Sequence, residues 1–268
     1  MVAERFTDVE IIRLKTNRGF AGGINVGIKK AIKDGFEFIA LFNNDAAADP
    51  EWLQSLHEAA IKKPECVVFS GKLLRDDHKH IDSTGEFIGK SGMPYPRGRD
   101  ELDRGQYETP GYVFAASGGA SLYRSSLFKK IGYFDEDFFA YYEDVDLCFR
   151  AQLLGLKVWY EPAAIAFHRV GHTSSKMGSF TRYHSVKNYI MLYNKNMPGH
   201  LFWARKPIFL WQLVRMKLGS LRDHQFGAFV KAFFWALIHV PATLKKRSKI
   251  QRTRTVSSKE ILNAMEQK

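Results

Sequence analysis

The chain has 268 residues, 45% of them hydrophobic, which suffices for one large domain or for a domain with an appendage. Its two cysteines, Cys66 and Cys148, lie in apolar surroundings, which argues against a disulfide framework and indicates buried thiols in a reducing compartment. The first residues, MVAERFTDVEII, contain no apolar signal-peptide core, so we expect a cytoplasmic protein.

The net charge of +12 is concentrated towards the C-terminus. Residues 1–194 hold 25 Lys/Arg and 25 Asp/Glu, whereas residues 195–268 hold 15 Lys/Arg and only 3 Asp/Glu. An even balance is typical of an ordinary soluble domain, and a basic, aromatic segment favours attachment to an anionic partner. We therefore predict a domain at 1–195 and a basic helical C-terminal region at 196–268.

The first part of the chain alternates strand and helix patterns. Val9–Leu14 has a strand pattern, and a Gly-rich turn then leads into an amphipathic helix that ends at Gly35. The apolar run Phe36–Phe42 is typical of a parallel strand covered on both faces. Asp49–Pro50 predicts the start of another helix, and Cys66–Ser70 a further strand. This βαβα order predicts an α/β fold with a doubly wound, mostly parallel sheet.

The next part is less regular. Residues 71–111 are polar and rich in Gly, Pro and charge, which is typical of loops and short antiparallel strands. Residues 112–123 return to a strand-like composition, and residues 143–154 have helical apolar spacing that ends at Gly155. Two strand-like runs follow, at residues 157–160 and 163–167.

Acidic residues and a histidine stand at the ends of these elements. Asp45 directly follows an apolar strand, and open α/β folds bind ligands at the carboxyl ends of their strands. Glu143 and Asp144 begin a helix after an aromatic-rich loop, and His168 ends a strand 24 residues beyond Asp144. Carboxylates and imidazole in such places suit a site that handles a divalent metal and a diphosphate.

Six motifs, taken together and in this order, resemble the family 2 glycosyltransferases of the GT-A fold, in particular the rhamnosyltransferase-like and galactofuranosyltransferase-like branch. The resemblance covers about residues 9 to 195. It implies metal-dependent, inverting transfer of a sugar from a UDP- or dTDP-linked donor to a polysaccharide or a lipid-linked glycan. The motifs are Asn17–Asn25, Phe42–Asp45, Ser117–Ala120, Gly132–Glu136, Tyr142–Asp146 and Pro162–His168.

The resemblance also implies roles for the residues at the strand and helix ends. Asp144 would be the base that takes the proton of the acceptor hydroxyl, although acids in the first turn also stabilise a helix whether or not they catalyse. Asp45 and His168 would hold Mn²⁺ or Mg²⁺, with His172 as the nearby alternative ligand. The alternatives are a simple turn at Asp45 and a structural histidine at His168.

Donor contacts are expected at the Gly-rich motif Asn17–Asn25 and at the motif Phe42–Asp45. Gly22 and Gly23 would let the backbone approach the donor closely, with the side chains of Asn17 and Asn25 beside it; close helix–sheet packing is the alternative. The remaining expected contacts are Asn43, Asn44 and Asp45 for the donor, and Gly118, Gly119 and Glu143 for the acceptor or its loop. Asn43 stands where many relatives have Asp, so it supplies less charge.

Relatives normally carry a further βαβ segment before the first strand found here. Three explanations remain open: a start codon placed too late, a truncated relative without catalytic activity, or a partner chain that supplies the segment. In the second case the chain would bind a membrane and a partner without transferring sugar.

The basic C-terminal region contains two short apolar segments, at residues 201–213 and 226–240, both interrupted by cations. A helix that spans a bilayer needs about 20 apolar residues. Interfacial helices on an anionic membrane fit this pattern better, which would place the protein at the inner face of the cell membrane. A single span and packing in a core or in an oligomer are the alternatives, and the aromatic clustering argues against nucleic acid.

Overall fold

The computed structural model describes residues 2–169 and 178–265. His172 lies outside these residues. The helices are α1 (Val2–Arg5), α2 (Gly19–Lys33), α3 (Trp52–Lys62), α4 (Ser125–Ile131), α5 (Glu143–Leu153), α6 (Gly178–Asn196), α7 (Gly199–Ala204), α8 (Lys206–Arg222), α9 (Phe226–Ile238), α10 (Val240–Thr253) and α11 (Ser258–Met265). The strands are β1 (Phe38–Phe42), β2 (Ala46–Ala48), β3 (Cys66–Arg75), β4 (Ile81–Ser83), β5 (Glu86–Ile88), β6 (Pro94–Pro96), β7 (Gly111–Val113), β8 (Ala120–Arg124) and β9 (Lys157–His168).

A seven-stranded sheet forms the centre of the described chain. Its order is β1-β8-β3-β9-β2, with β4 paired to β3 and β7 to β9. Strands β1, β3 and β9 run in the same direction, and β3 pairs with β9 in parallel. β8 lies antiparallel between β1 and β3, so the pairing is mixed although these three main strands share one direction. The α/β architecture with C-terminal helices agrees with the prediction.

Two predictions for the N-terminal part are wrong in detail. Residues 9–14 form no strand and are exposed, because none of the described strands pairs with them. β1 has only one covered face: Ile39 and Leu41 are buried, whereas Ala40 and Phe42 are exposed. Within the described chain β1 pairs with β8 alone and is therefore an edge strand.

The helices that flank the sheet follow the apolar pattern of the sequence. Ile28 of α2 and Leu147 of α5 are fully buried in the main core, as their helical spacing predicts. Cys66 and Cys148 are both buried, free thiols. The predicted boundary at residues 195/196 falls at the last residues of α6.

A buried ionic network joins α5, α6 and α10. The carboxylate of Asp146, with no exposed surface, accepts hydrogen bonds from Arg150 Nε at 2.9 Å, Lys195 Nζ at 2.9 Å and Asn196 Nδ2 at 2.7 Å. Lys195 also donates to Asp135, at 2.6 Å. Asp146 therefore stabilises the packing of helices and not only the first turn of its own helix.

Within the described residues, no single helix is both long and apolar enough to cross a membrane. Helices α9 and α10 have the length and apolar composition of a membrane span only when they are taken together, and they are bent by 60° where they meet.

Replacing Asp146 with alanine should destabilise the fold by about 3–5 kcal/mol, because Lys195 and Arg150 would lose their shared buried acceptor. Urea denaturation measures the change. The control is Lys62→Ala, which removes an exposed pair with Glu58 and should cost less than about 1 kcal/mol. Equal losses for the two variants would contradict a structural role for the network.

Candidate active site

A cleft of about 510 Å³ opens where β1 and β9 end and α5 begins. Eight of the predicted site residues line it, although they come from four separate parts of the chain. They are Asn43, Asn44, Asp45, Gly118, Gly119, Glu143, Asp144 and His168. The structure thus brings together the two acidic motifs, the Ser117–Ala120 loop and the histidine.

Asp144 is held by two backbone N–H groups. Its Oδ2 accepts from Gly118 N at 2.8 Å and its Oδ1 from Val145 N at 2.8 Å. A Cβ on Gly118 would lie 3.3 Å from the Phe20 ring and 3.4 Å from the Asp144 carboxyl group, so a side chain has little room there. Burial raises the pKa of Asp144, and the two N–H groups partly oppose this shift. A carboxylate with a raised pKa is a stronger base than an ordinary surface aspartate.

Two neighbouring glutamates have raised pKa values, which favour their protonated forms at neutral pH. Burial, followed by the charge of Asp144, raises the pKa of Glu143 to about 8, and Glu143 Oε2 has no hydrogen-bond partner in the described structure. The same two causes raise the pKa of Glu86 to about 8. We therefore expect the negative charge in this part of the cleft to lie on Asp144.

Asp45 and His168 face each other, with His168 Nε2 3.3 Å from Asp45 Oδ1. The other ring nitrogen, Nδ1, lies 2.9 Å from Asp82 Oδ2, and this hydrogen bond is the main cause of a raised pKa for His168. In the neutral ring, an Nδ1–H donated to Asp82 leaves the Nε2 lone pair pointing towards Asp45. The pair thus offers one nitrogen and one oxygen ligand to a cation.

No group of three or more His, Cys, Asp or Glu side chains is arranged to hold a metal ion by itself, as far as the described residues show. Mg²⁺-type sites commonly use one or two protein ligands and complete the shell with substrate phosphate oxygens and water. Asp45 and His168 fit such a shared site.

The loop before α5 has an unusual backbone. Phe139, Tyr141 and Tyr142 have positive φ angles of 65°, 72° and 67°. Asn188 Nδ2 of α6 lies 3.0, 2.7 and 2.7 Å from the carbonyl oxygens of residues 138, 140 and 141, and Lys187 Nζ donates to the carbonyl of residue 137 at 2.5 Å. Sequence reasoning missed both residues, although a Lys–Asn pair before an apolar run was the available signal.

Four predicted donor contacts do not line the cleft. The Asn25 amide is buried and exchanges hydrogen bonds with the backbone of Phe134, at 2.9 and 3.0 Å. Asn17 accepts a hydrogen bond from the N–H of Gly19 at 2.9 Å. Gly22 packs against Arg18, since a Cβ added at Gly22 would lie 2.6 Å from the Cβ of Arg18. Gly23 is also absent from the lining. For Asn25 the structure favours the packing alternative, since its amide ties α2 to the Gly132–Glu136 motif.

The cleft also contains Asp82, Glu86 and Arg99, which the sequence did not identify. They come from the irregular stretch at residues 71–111. Asp82 reaches the site because β4 pairs with β3, a long-range contact for which the local sequence gives no signal.

Residues 1–132 match the family model for Glycosyl transferase family 2. The match spans just under half of the chain and, together with the relatives described next, supports a glycosyltransferase of family 2. The enzyme is 26% identical over 217 residues to the dTDP-rhamnosyl transferase RfbF of Shigella flexneri, covering 77% of this chain and 71% of that protein. It is 27% identical over 245 residues to the N-acetylglucosaminyl-diphospho-decaprenol L-rhamnosyltransferase of Mycobacterium tuberculosis, covering 82% and 76% of the two chains.

A solved structure shows the fold of this glycosyltransferase. The crystal structure of GalNAc-T7 with UDP, GalNAc and Mn²⁺ superposes with a TM-score of 0.53 at 14% identity, over 84% of this chain and 45% of that chain. The predicted GT-A fold and the rhamnosyltransferase-like branch are thereby confirmed.

Replacing Glu143 with glutamine should change how the stability of the enzyme depends on pH. The pKa of Glu143 is raised from about 4.5 in the unfolded chain to about 8 in the folded one. The folded state therefore binds more protons between these values, and its stability falls as pH rises from about 4.5 to 8. Without this carboxyl group, the stability lost between pH 6 and pH 8 should be smaller by on the order of 2 kcal/mol.

Urea denaturation at pH 6 and pH 8 measures this difference. The matched control is Glu51→Gln, which alters an exposed side chain outside the cleft and should leave the pH dependence unchanged. A Glu143→Gln variant with the wild-type pH dependence would show that Glu143 is ionised in the folded enzyme.

Proposed function

We propose that this enzyme is a metal-dependent, inverting glycosyltransferase that moves a sugar from a UDP- or dTDP-linked donor to a polysaccharide or lipid-linked glycan. One observation carries the proposal: the half-buried carboxylate of Asp144 and the facing pair of Asp45 and His168 line one cleft. A base and a cation-binding pair in one cleft match the needs of sugar transfer from a nucleotide diphosphate.

Asp144 acts as the general base in this proposal. Its carboxylate takes the proton of the acceptor hydroxyl while that oxygen forms the bond to the anomeric carbon, and the bond to the donor phosphate oxygen breaks with its electron pair. The N–H groups of Gly118 and Val145 fix the orientation of the carboxylate. Attack from the face opposite to the leaving group inverts the anomeric centre. One carboxylate is enough, since the leaving diphosphate needs no proton when a cation neutralises it.

The residues around the diphosphate position supply the other charges. A divalent cation held by Asp45 and His168 would stabilise the leaving diphosphate. Arg99 lies in the same cleft, 3.5 Å from Asp82, and its guanidinium group is a further candidate contact for phosphate oxygens.

The names of the two relatives support a choice of substrates. One is a dTDP-rhamnosyl transferase, and the other acts on a sugar linked through a diphosphate to decaprenol. We therefore propose dTDP-linked rhamnose as the first donor to test and a lipid-linked glycan as the first acceptor.

We also propose that the C-terminal helices attach the enzyme to the inner face of the cell membrane. Large apolar side chains are exposed on them, among them Trp203, Trp211, Phe234 and Ile238, with 72%, 62%, 58% and 73% of their surface accessible. The adjacent basic residues provide the attraction to anionic headgroups. Surface attachment would bring the cleft close to a lipid-linked acceptor.

Replacing Asp45 with alanine should abolish metal-dependent nucleotide binding, because one of the two protein ligands is lost. Calorimetric titration with UDP and dTDP, each with and without Mn²⁺, measures this, and Glu51→Ala is the control at an exposed acid outside the cleft. If the folded wild-type chain binds neither nucleotide with Mn²⁺, the donor site is incomplete and the non-catalytic alternative stands instead.

Replacing Asp144 with asparagine should lower turnover by about 10²–10⁴-fold while nucleotide binding is retained, because the amide preserves the shape but cannot take a proton. Release of the nucleotide in the presence of acceptor measures turnover, and NMR of the product shows whether the anomeric configuration is inverted. An asparagine variant with wild-type turnover, or a product with retained configuration, would contradict this role of Asp144.

A further inference from the structure

A second cavity, of about 650 Å³, lies between α6 and α8. Three arginines line it: Arg182 on α6, and Arg215 and Arg222 on α8. Tyr142 also lines it, and the same residue lines the active-site cleft. The two cavities are therefore neighbours that share one side chain, which lies directly before Glu143 and Asp144 in the chain.

The cavity carries a positive charge that the protein only partly balances. Asp223 pairs with Arg182 at 2.7 Å and with Arg222 at 2.9 Å, so one carboxylate serves two guanidinium groups. Arg215 has no hydrogen-bond or ion-pair partner within the described parts of the chain, and no acidic residue is among those that line the cavity. Guanidinium groups bind phosphate oxygens through two parallel hydrogen bonds, so a ligand with one or two phosphates suits this charge.

An exposed apolar stripe runs along α8 beside the arginines. Leu210, Val214, Leu218 and Leu221 follow one face of the helix at spacings of four, four and three residues, and between 43% and 56% of each surface is accessible. Leu218 belongs both to this stripe and to the lining of the cavity. The stripe therefore offers an apolar path that begins at the phosphate-binding groups.

We propose that this cavity binds the diphosphate of a lipid-linked acceptor, with the hydrocarbon chain of the lipid along the α8 stripe. Arg215 and Arg222 contact the diphosphate, and the sugar attached to it extends past Tyr142 towards Asp144. This inference rests on the proposed transferase function, since it assigns the acceptor class of the same site. A phosphate group alone would use only the arginines, whereas a lipid diphosphate uses the arginines and the stripe together.

Binding of farnesyl diphosphate, inorganic pyrophosphate and phosphatidylglycerol vesicles to the full chain tests the proposal. The test variant is Arg215→Ala/Arg222→Ala. The matched control is Lys217→Ala/Lys231→Ala, which removes the same charge from two exposed positions, on α8 and α9, that do not line the cavity. We expect farnesyl diphosphate to bind at least about tenfold more weakly to the arginine variant than to the wild type, with little change in the control.

Each other outcome overturns a stated part of the proposal. Equal losses in the two variants would mean that net charge, not the cavity, attracts the ligand. Pyrophosphate binding as tight as that of farnesyl diphosphate would indicate a site for free phosphates, and an arginine-dependent loss confined to the vesicles would indicate a general membrane contact.

Nucleotide titration with Mn²⁺ on the same wild-type sample distinguishes a failure of the proposed transferase function from a failure of the cavity assignment. If the nucleotide fails to bind while farnesyl diphosphate binds through the arginines, the transferase function falls and the cavity assignment stands. If the nucleotide binds and the arginine variant binds farnesyl diphosphate as the wild type does, only the cavity assignment is overturned.

Discussion

The position of the candidate base depends on the left-handed backbone at Phe139, Tyr141 and Tyr142. Each such residue costs on the order of 1–3 kcal/mol, so the loop needs compensation from its surroundings. The amide of Asn188 and the ammonium group of Lys187 provide it, because they donate to the backbone carbonyl groups of residues 137, 138, 140 and 141. Tyr142 immediately precedes α5, so the same contacts determine where its first turn and the carboxylate of Asp144 lie.

Because α6 and α10 hold this loop and the segment before it, the C-terminal helices contribute to the structure of the candidate active site. Lys195 and Lys246 donate to the two oxygens of Asp135, each at 2.6 Å. Some of the basic charge of residues 195–268 therefore neutralises acids inside the protein, and only the remainder can attract an anionic membrane or a phosphate. Composition alone cannot separate these two uses, since both require the same residue types.

The sequence predicted the parts of the fold and site that depend on local patterns. The helices that carry Ile28 and Leu147 follow from apolar spacing, and Asp45 and Asp144 were visible because they end a strand or begin a helix. Asp82 and Asn188 were not predicted, because sheet pairing and helix packing bring them to the site from distant positions. Asn25 shows a further limit of local patterns: its place in a glycine-rich motif suggested a ligand contact, and the structure gives its amide a backbone partner at Phe134.

The charges in the cleft support a division of roles between its carboxyl groups. Burial raises the pKa of Glu143 and of Glu86 to about 8, which favours their protonated forms at neutral pH and leaves Asp144 as the candidate base. Asp45 lies beside an imidazole whose other nitrogen is bound to Asp82, an arrangement that suits cation binding rather than proton removal. Burial and hydrogen bonding thus place chemically similar side chains in different environments, and this difference supports the proposal of Asp144 as the base and of Asp45 as a cation ligand.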